Sequence, residues 1–173
     1  MKYLILCFSI LSSICAFTQI DSLSFSFTDT SFKKNSMLVI DAIGYSNDVD
    51  KYYFDETKID SLAMLLKKYK GLYIEITCNE DLTEMPLLSV MATTDQALEI
   101  RRYLMEQGVR GTQVEIYGYG DMNPLISEND MVYMNEEGIE LAKKTNRRIE
   151  VKVLSFKIIK PKKVVPSNLS YPR

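Results

Sequence analysis

The spacing of apolar and polar positions changes several times along the chain, and each change marks an element. "MLVIDAIGY", Met37 to Tyr45, is apolar and β-branched and runs into Gly44 and the turn-rich "SNDVD", which predicts a strand. In "DETKIDSLAMLLKKYKG" the residues Ile59, Leu62, Ala63, Leu66 and Tyr69 recur at helical spacing. Lys67, Lys68 and Lys70 cluster near its end and Gly71 supplies a stop, so this is an amphipathic helix. "LYIEITC" returns to a period of two, with Leu72, Ile74, Ile76 and Cys78 on one face and Tyr73, Glu75 and Thr77 on the other, the mark of a half-buried strand. "TTDQALEIRRYLMEQG" predicts a second helix striped by Ala97, Ile100 and Leu104 and stopped by Gly108 or Gly111. "TQVEIYGYG" reads as a strand with Val114 and Ile116 on one face. "NEEGIELAKKTN" reads as a shorter helix, weakened by Gly138, with Ile139 and Ala142 inward. "RRIEVKVL" closes the series as a strand burying Ile149, Val151 and Val153.

Alternating strands and helices pack helices against one sheet, and right-handed crossovers make the early strands parallel. The expected class is a two-layer α/β sandwich of order βαβαβαβ. Before it, residues 19–36 are rich in Ser, Thr and Phe, and "LSFSFTD" alternates loosely, with Leu23, Phe25 and Phe27 on one side: an edge strand or an ordered arm. After it, residues 156–173 carry Lys157, Lys160, Lys162, Lys163 and Arg173, three prolines and no acid, which suits an extended basic tail. The domain itself is expected over 37–155.

With 173 residues and 46% of them hydrophobic, the chain holds one ordinary domain with a core. A net charge of -2 gives no basic footprint for nucleic acid. The opening "MKYLILCFSILSSICAFTQ" has Lys2, an apolar run from Tyr3 to Ile14 and small residues after it, the layout of a signal peptide over 1–18. The run is short for a membrane span of about 20 residues, and no later segment is as apolar, so an exported mature chain without a transmembrane span is expected. Ile14 stands where a lipoprotein needs a small residue before its cysteine, Cys15, so cleavage is expected after Ala16 or Thr18 instead. Cys78 is then the lone cysteine and no disulfide forms within the mature chain.

Several chemistries are closed. The chain has no histidine, which removes imidazole as base, proton shuttle or metal ligand. There is no G-x-S-x-G elbow, phosphate-binding glycine loop or dinucleotide fingerprint, so neither an enzyme nor a cofactor is expected. Cys78, at the inward phase of its strand, reads as a small buried hydrophobe in preference to a reactive thiol. "NDVDKYYFDE" lacks the spaced oxygens and glycine turn of a calcium loop, so no metal site is expected and a solvated turn is.

Four segments, "FDETKIDSLAMLLKKYKGLYIEITCNED", "ALEIRRYLMEQGV", "VEIYGYGDMNP" and "NRRIEV", together resemble the OmpA-like domain of outer-membrane and periplasmic proteins of Gram-negative bacteria, from about Met37 to Leu154. "GYGDMNP" is similar to the family's Gly-Tyr-Gly-acid-x-x-Pro turn, and Asn146 to Glu150 to its Asn-Arg-Arg-Val-Glu signature. The resemblance implies a mixed sheet with helices on one face, a location in the periplasm or on the periplasmic side of the outer membrane, and noncovalent binding of peptidoglycan through the diaminopimelate of its stem peptides. It also implies the ligand contacts: an Asp after the second strand for the ammonium, and an Arg on the following helix whose guanidinium fork meets the carboxylate.

On this chain that Asp falls at Asp81, the Arg position at Gln96 and the family's loop asparagine at Ser89, while a family glycine is replaced by Glu84. Arg147 and Arg148 enter the last strand on alternate faces, one of them toward the ligand side. The expected function is therefore peptidoglycan attachment weakened by loss of the family Arg. The alternative is a scaffold of the same fold that binds another envelope protein. Each residue also has a plainer reading. Gln96 completes a capping box with Thr93 in "TTDQ", Asp81 ends a strand, and the two arginines pair with Glu136 or Glu137.

Overall fold

Four helices and five strands form among the residues described by the computed structural model, which are 23–46, 51–81 and 85–159, with side chains except at 42–46 and 51–53. They are β1 (Met37–Ser46), β2 (Lys51–Phe54), α1 (Glu56–Lys68), β3 (Leu72–Asn79), α2 (Pro86–Glu106), β4 (Val114–Gly120), α3 (Glu128–Met131), α4 (Glu136–Asn146) and β5 (Arg148–Phe156). The expected signal peptide, the tail beyond 159 and Glu84 lie outside the described residues.

The sheet runs β2-β1-β5-β3-β4. β3 and β4 are parallel neighbours, while β5 lies between β1 and β3 and is antiparallel to both. β1, β3 and β4 thus share one direction, as right-handed crossovers require, and the last strand is inserted among them to make the sheet mixed. Register aligns the inward residues in rows. Leu38 pairs with Val151 and Val151 with Ile76; Ile40 pairs with Ile149 and Ile149 with Cys78. From α1, Ile59, Leu62 and Leu66, and from α2, Ala97, Ile100 and Leu104, are fully buried over this face. Each such aliphatic side chain contributes about 1.5–3 kcal/mol on burial.

Local signals explain the element ends. Asp55 caps α1 by accepting the Lys58 amide at 3.2 Å. The Gln113 amide group donates to the carbonyls of Leu66, Tyr69 and Leu72, which satisfies acceptors where α1 hands over to β3. Phe32 packs edge to face against Phe25, Tyr69 and Phe156, with ring centroids 5.2–5.8 Å apart, and fastens the arm to the sheet. The alternation "LSFSFTD" gives one isolated bridge, Ser24 to Met37, rather than a strand.

Two expectations are corrected. α2 begins at Pro86, not near Thr93, so Thr93 and Gln96 stand in the helix interior and form no capping box. Thr93 and Thr94 instead turn their hydroxyls back to the carbonyls of Ser89 and Val90, at 2.8 and 2.7 Å. β2 and α3 were not expected at all; the capping box lies at the latter, between Ser127 and Asp130.

Candidate binding site at the carboxyl ends of β3 and β4

α2 rests directly on β4 because two glycines let it. A Cβ at Gly118 would lie 2.6 Å from the carbonyl carbon of Thr93, and one at Gly120 would lie 2.8 Å from the Val90 nitrogen. Gly120 also has φ 56°, a left-handed value that favours glycine. Its N–H donates to Thr93 Oγ1 at 2.9 Å. This contact sets the inner face of α2, with Ser89, Thr93, Gln96 and Ile100 at spacings of four, three and four, over the strand ends. All four are buried.

Beside this contact β3 ends in Asn79, followed by Glu80 and Asp81. Asn79 pairs with Gly120 on one side and Arg148 on the other, and the Glu80 amide donates to the Gly120 carbonyl at 2.7 Å. The Asp81 carboxylate is only 14% exposed and lies 3.8 Å from the Arg147 guanidinium. Burial pushes the Glu80 carboxyl above its usual range. The Asp81 amide and Arg147 pull it back in part, and the charges of Asp81 and Asp121 raise it again. Arg147 thus acts on both Glu80 and Asp81, and the charges of Asp81 and Asp121 both reach Glu80, so acidic groups cluster at this end of the sheet.

A raised folded-state value means that the stability Glu80 contributes is full below its unfolded value of 4.5 and is lost as pH rises through the folded one. Glu80→Gln removes that loss. Thermal melts should show a Tm higher by a few degrees at pH 7, with the gain vanishing below about pH 4. An equal gain at both pH values would contradict the burial of this carboxylate.

The same region holds buried polar atoms with no hydrogen-bond partner among the described residues: Thr77 Oγ1, both side-chain polar atoms of Asn79 and Ser89 Oγ. Ser89 Oγ lies 2.8 Å from where a Gly120 Cβ would stand, whereas Thr77 and Asn79 alternate with Ile76 and Cys78 and so belong to the face of β3 that carries Glu150 and Arg148 across the pair. A buried polar group left unpaired costs about 1–3 kcal/mol, which a polar ligand or water would offset.

The Asn-Arg-Arg segment divides between structure and site. Asn146 accepts the amides of Leu125 and Ile126 and donates to the Ile126 carbonyl, all within 3.0 Å. Arg148 is buried, paired with Glu150 at 2.7 Å, and donates to the carbonyls of Asn146 and Asn123. Both residues clamp the turn that follows β4. Arg147 alone of the two arginines reaches Asp81. The expected pairing with Glu136 or Glu137 is replaced by Asp81 and Glu150.

Asp81, Ser89, Gln96 and Arg147 thus lie on elements that converge here, whereas Arg148 is spent on the turn. Glu80, Asp121 and Asn79 were not singled out by the sequence, and Thr93 was read only as a helix cap; the acidic runs in "CNED" and "GYGD" were the available signal for the carboxylates. Among the described residues no group of three or more His, Cys, Asp or Glu side chains is placed to hold a metal ion. No described helix is long and apolar enough to cross a membrane.

Cys78 is buried beneath this site, and burial first, then the Glu80 charge, pushes its thiol up to about 12. Alkylation of the native protein at pH 8 should therefore be slower than that of the urea-unfolded chain by about a thousandfold or more, since the thiolate is the nucleophile. Equal labelling rates at this residue, read by mass spectrometry, would contradict its burial.

No family model matches the sequence, and no curated protein matches it. Solved structures do. The peptidoglycan-associated lipoprotein from Burkholderia pseudomallei is 20% identical, with 66% of this chain and 88% of that chain covered and a TM-score of 0.52. The periplasmic domain of Helicobacter pylori MotB is 20% identical, with 72% of this chain and 86% of that chain covered and a TM-score of 0.53. At such identities the likeness is one of fold, and the fold is the OmpA-like one.

Proposed function

We propose that this OmpA-like fold serves as an exported cell-envelope binding module that holds peptidoglycan noncovalently through the diaminopimelate of its stem peptides, with an affinity lowered by Gln96. The observation that carries this reading is the cluster of Glu80, Asp81 and Arg147 where β3 ends, near the buried, unpaired Ser89 Oγ that α2 holds against Gly120. A diaminopimelate side chain ends in an ammonium and a carboxylate on one carbon. Asp81 receives the ammonium, with Glu80 and Asp121 adding to the field, while the ligand carboxylate meets a neutral amide at position 96.

Magnitudes rank the two halves. Hydrogen bonds to charged groups contribute about 1.5–3 kcal/mol and neutral ones about 0.5–1.5. The exchange of Arg for Gln thus costs roughly 1–2 kcal/mol, a five- to thirtyfold weaker complex. Arg101 and Arg102 do not compensate, because they leave the helix on other faces and engage the Gly111 carbonyl and Glu99. The reading is one of attachment, not catalysis, on the periplasmic side of the outer membrane.

Purified sacculi test it. The protein should sediment with them, and Asp81→Ala should leave most of it in the supernatant. Retention unchanged by that substitution would sink the proposed site. In-cell cross-linking that recovers one protein and no glycan would favour a scaffold for another envelope protein.

A further inference from the structure

α2 carries a second face that the binding site does not use. Leu88, Met91, Asp95, Leu98, Arg102 and Met105 follow one another at alternating spacings of three and four, the seam of a heptad, and all six are exposed. The apolar members are open to solvent: Leu88 by 56%, Met91 by 57%, Leu98 by 49% and Met105 by 50%. Their side of the helix is not the one packed on α1, because Tyr103, bonded to Asp60 and stacked edge to face on Phe54, marks that flank. Arg101, bonded to the Gly111 carbonyl, marks the other flank, along β4, the open edge of the sheet. A hollow of about 620 Å³ lined by Leu98, Arg101, Arg102, Met105 and Glu106 lies on this side. Apolar side chains repeated in register along a surface helix mark a contact face.

The order of residues on this seam indicates what covers it. Met91 and Met105 lie seven positions either side of Leu98, about 10.5 Å along the axis in each direction. Asp95 lies three positions before Leu98 and Arg102 four after it. An antiparallel copy of the same helix, turned about a two-fold axis at Leu98, therefore sets Leu98 against itself, Met91 against Met105, and Asp95 within one residue's rise, about 1.5 Å, of the level of Arg102, twice over. Apolar meets apolar and acid meets base, which is the self-complementarity that an isologous contact demands. Arg102 is 66% exposed in its pair with Glu99, so its guanidinium remains open to a second carboxylate. We propose that α2 is the seam of a homodimer, with a second copy of this chain as its occupant, leaving the carboxyl ends of β3 and β4 free in both protomers.

One helix per protomer buries less than the roughly 1,600 Å² of a standard interface, so the dimer is a weak one that mass action disperses on dilution. Sedimentation velocity of the purified full chain over a thousandfold concentration range should show a reversible monomer–dimer shift. Leu98→Asp should weaken association by at least tenfold with the thermal melt unchanged, because this side chain lies outside the core. Asp95→Arg and Arg102→Asp should each weaken it severalfold, and the double exchange should restore it. Met64→Asp, on the exposed side of α1, should leave it intact. A chain that stays monomeric throughout, a dimer indifferent to Leu98→Asp, a double exchange no better than either single one, or equal loss with Met64→Asp would overturn the proposal.

Discussion

Gly118→Val is expected to remove about 3 kcal/mol or more of the domain's stability. A Cβ at this position meets the backbone of α2, the carbonyl carbon of Thr93 among its nearest atoms at 2.6 Å, and backbone cannot step aside as a flexible side chain can. The helix must lift from β4, which separates Ala97, Ile100 and Leu104 from the sheet and breaks the bond from the Gly120 amide to Thr93. Overpacking a core costs about 1–3 kcal/mol when side chains can adjust and more when they cannot. The loss should therefore reach about 3 kcal/mol or more, a large part of the stability of an ordinary domain. Urea titration followed by circular dichroism measures it; a midpoint within the error of the parent chain would show that α2 does not rest on this glycine.

Arg148→Met is expected to cost roughly 3 kcal/mol, the low end of what breaking a buried ion pair costs, because Glu150 keeps some contact with water. The substitution strands the Glu150 carboxylate and takes donors from the carbonyls of Asn146 and Asn123. Adding Glu150→Gln should recover part of the loss, since an amide left unpaired is penalised less than a charge. Thermal denaturation of the single and double variants gives the comparison, and a fully additive pair would argue against their coupling.

Much of the sheet was legible because period-two alternation is a direct print of burial on one face: Ile74, Ile76 and Cys78, like Ile149, Val151 and Val153, all face the core as read. The order of strands was not legible, because nothing local in β5 states that it slides between β1 and β3. The start of α2 was misread for a physical reason. Leu87, Leu88 and Met91 are apolar but exposed, so the opening turns show no buried stripe, and "TTDQ" offers a cap signal inside a helix that had already begun. At the proposed site, Asp81 and Gln96 were named through the family resemblance, by laying its motifs on the chain, and not through composition or periodicity. Glu80 escaped notice because it lies just past the end of β3, where no periodicity marks it and only burial and its neighbours reveal its role.

The central claim is that the acidic half of an amino-acid-gripping pocket persists while its cationic half has become neutral. Calorimetric titration with a diaminopimelate-containing stem peptide tests it most directly, on the parent chain, Asp81→Ala and Gln96→Arg. The expected result is weak binding by the parent, none by Asp81→Ala, and a five- to thirtyfold gain for Gln96→Arg. Binding that ignores Asp81, or an arginine at position 96 that brings no gain in a normally folded protein, would contradict it.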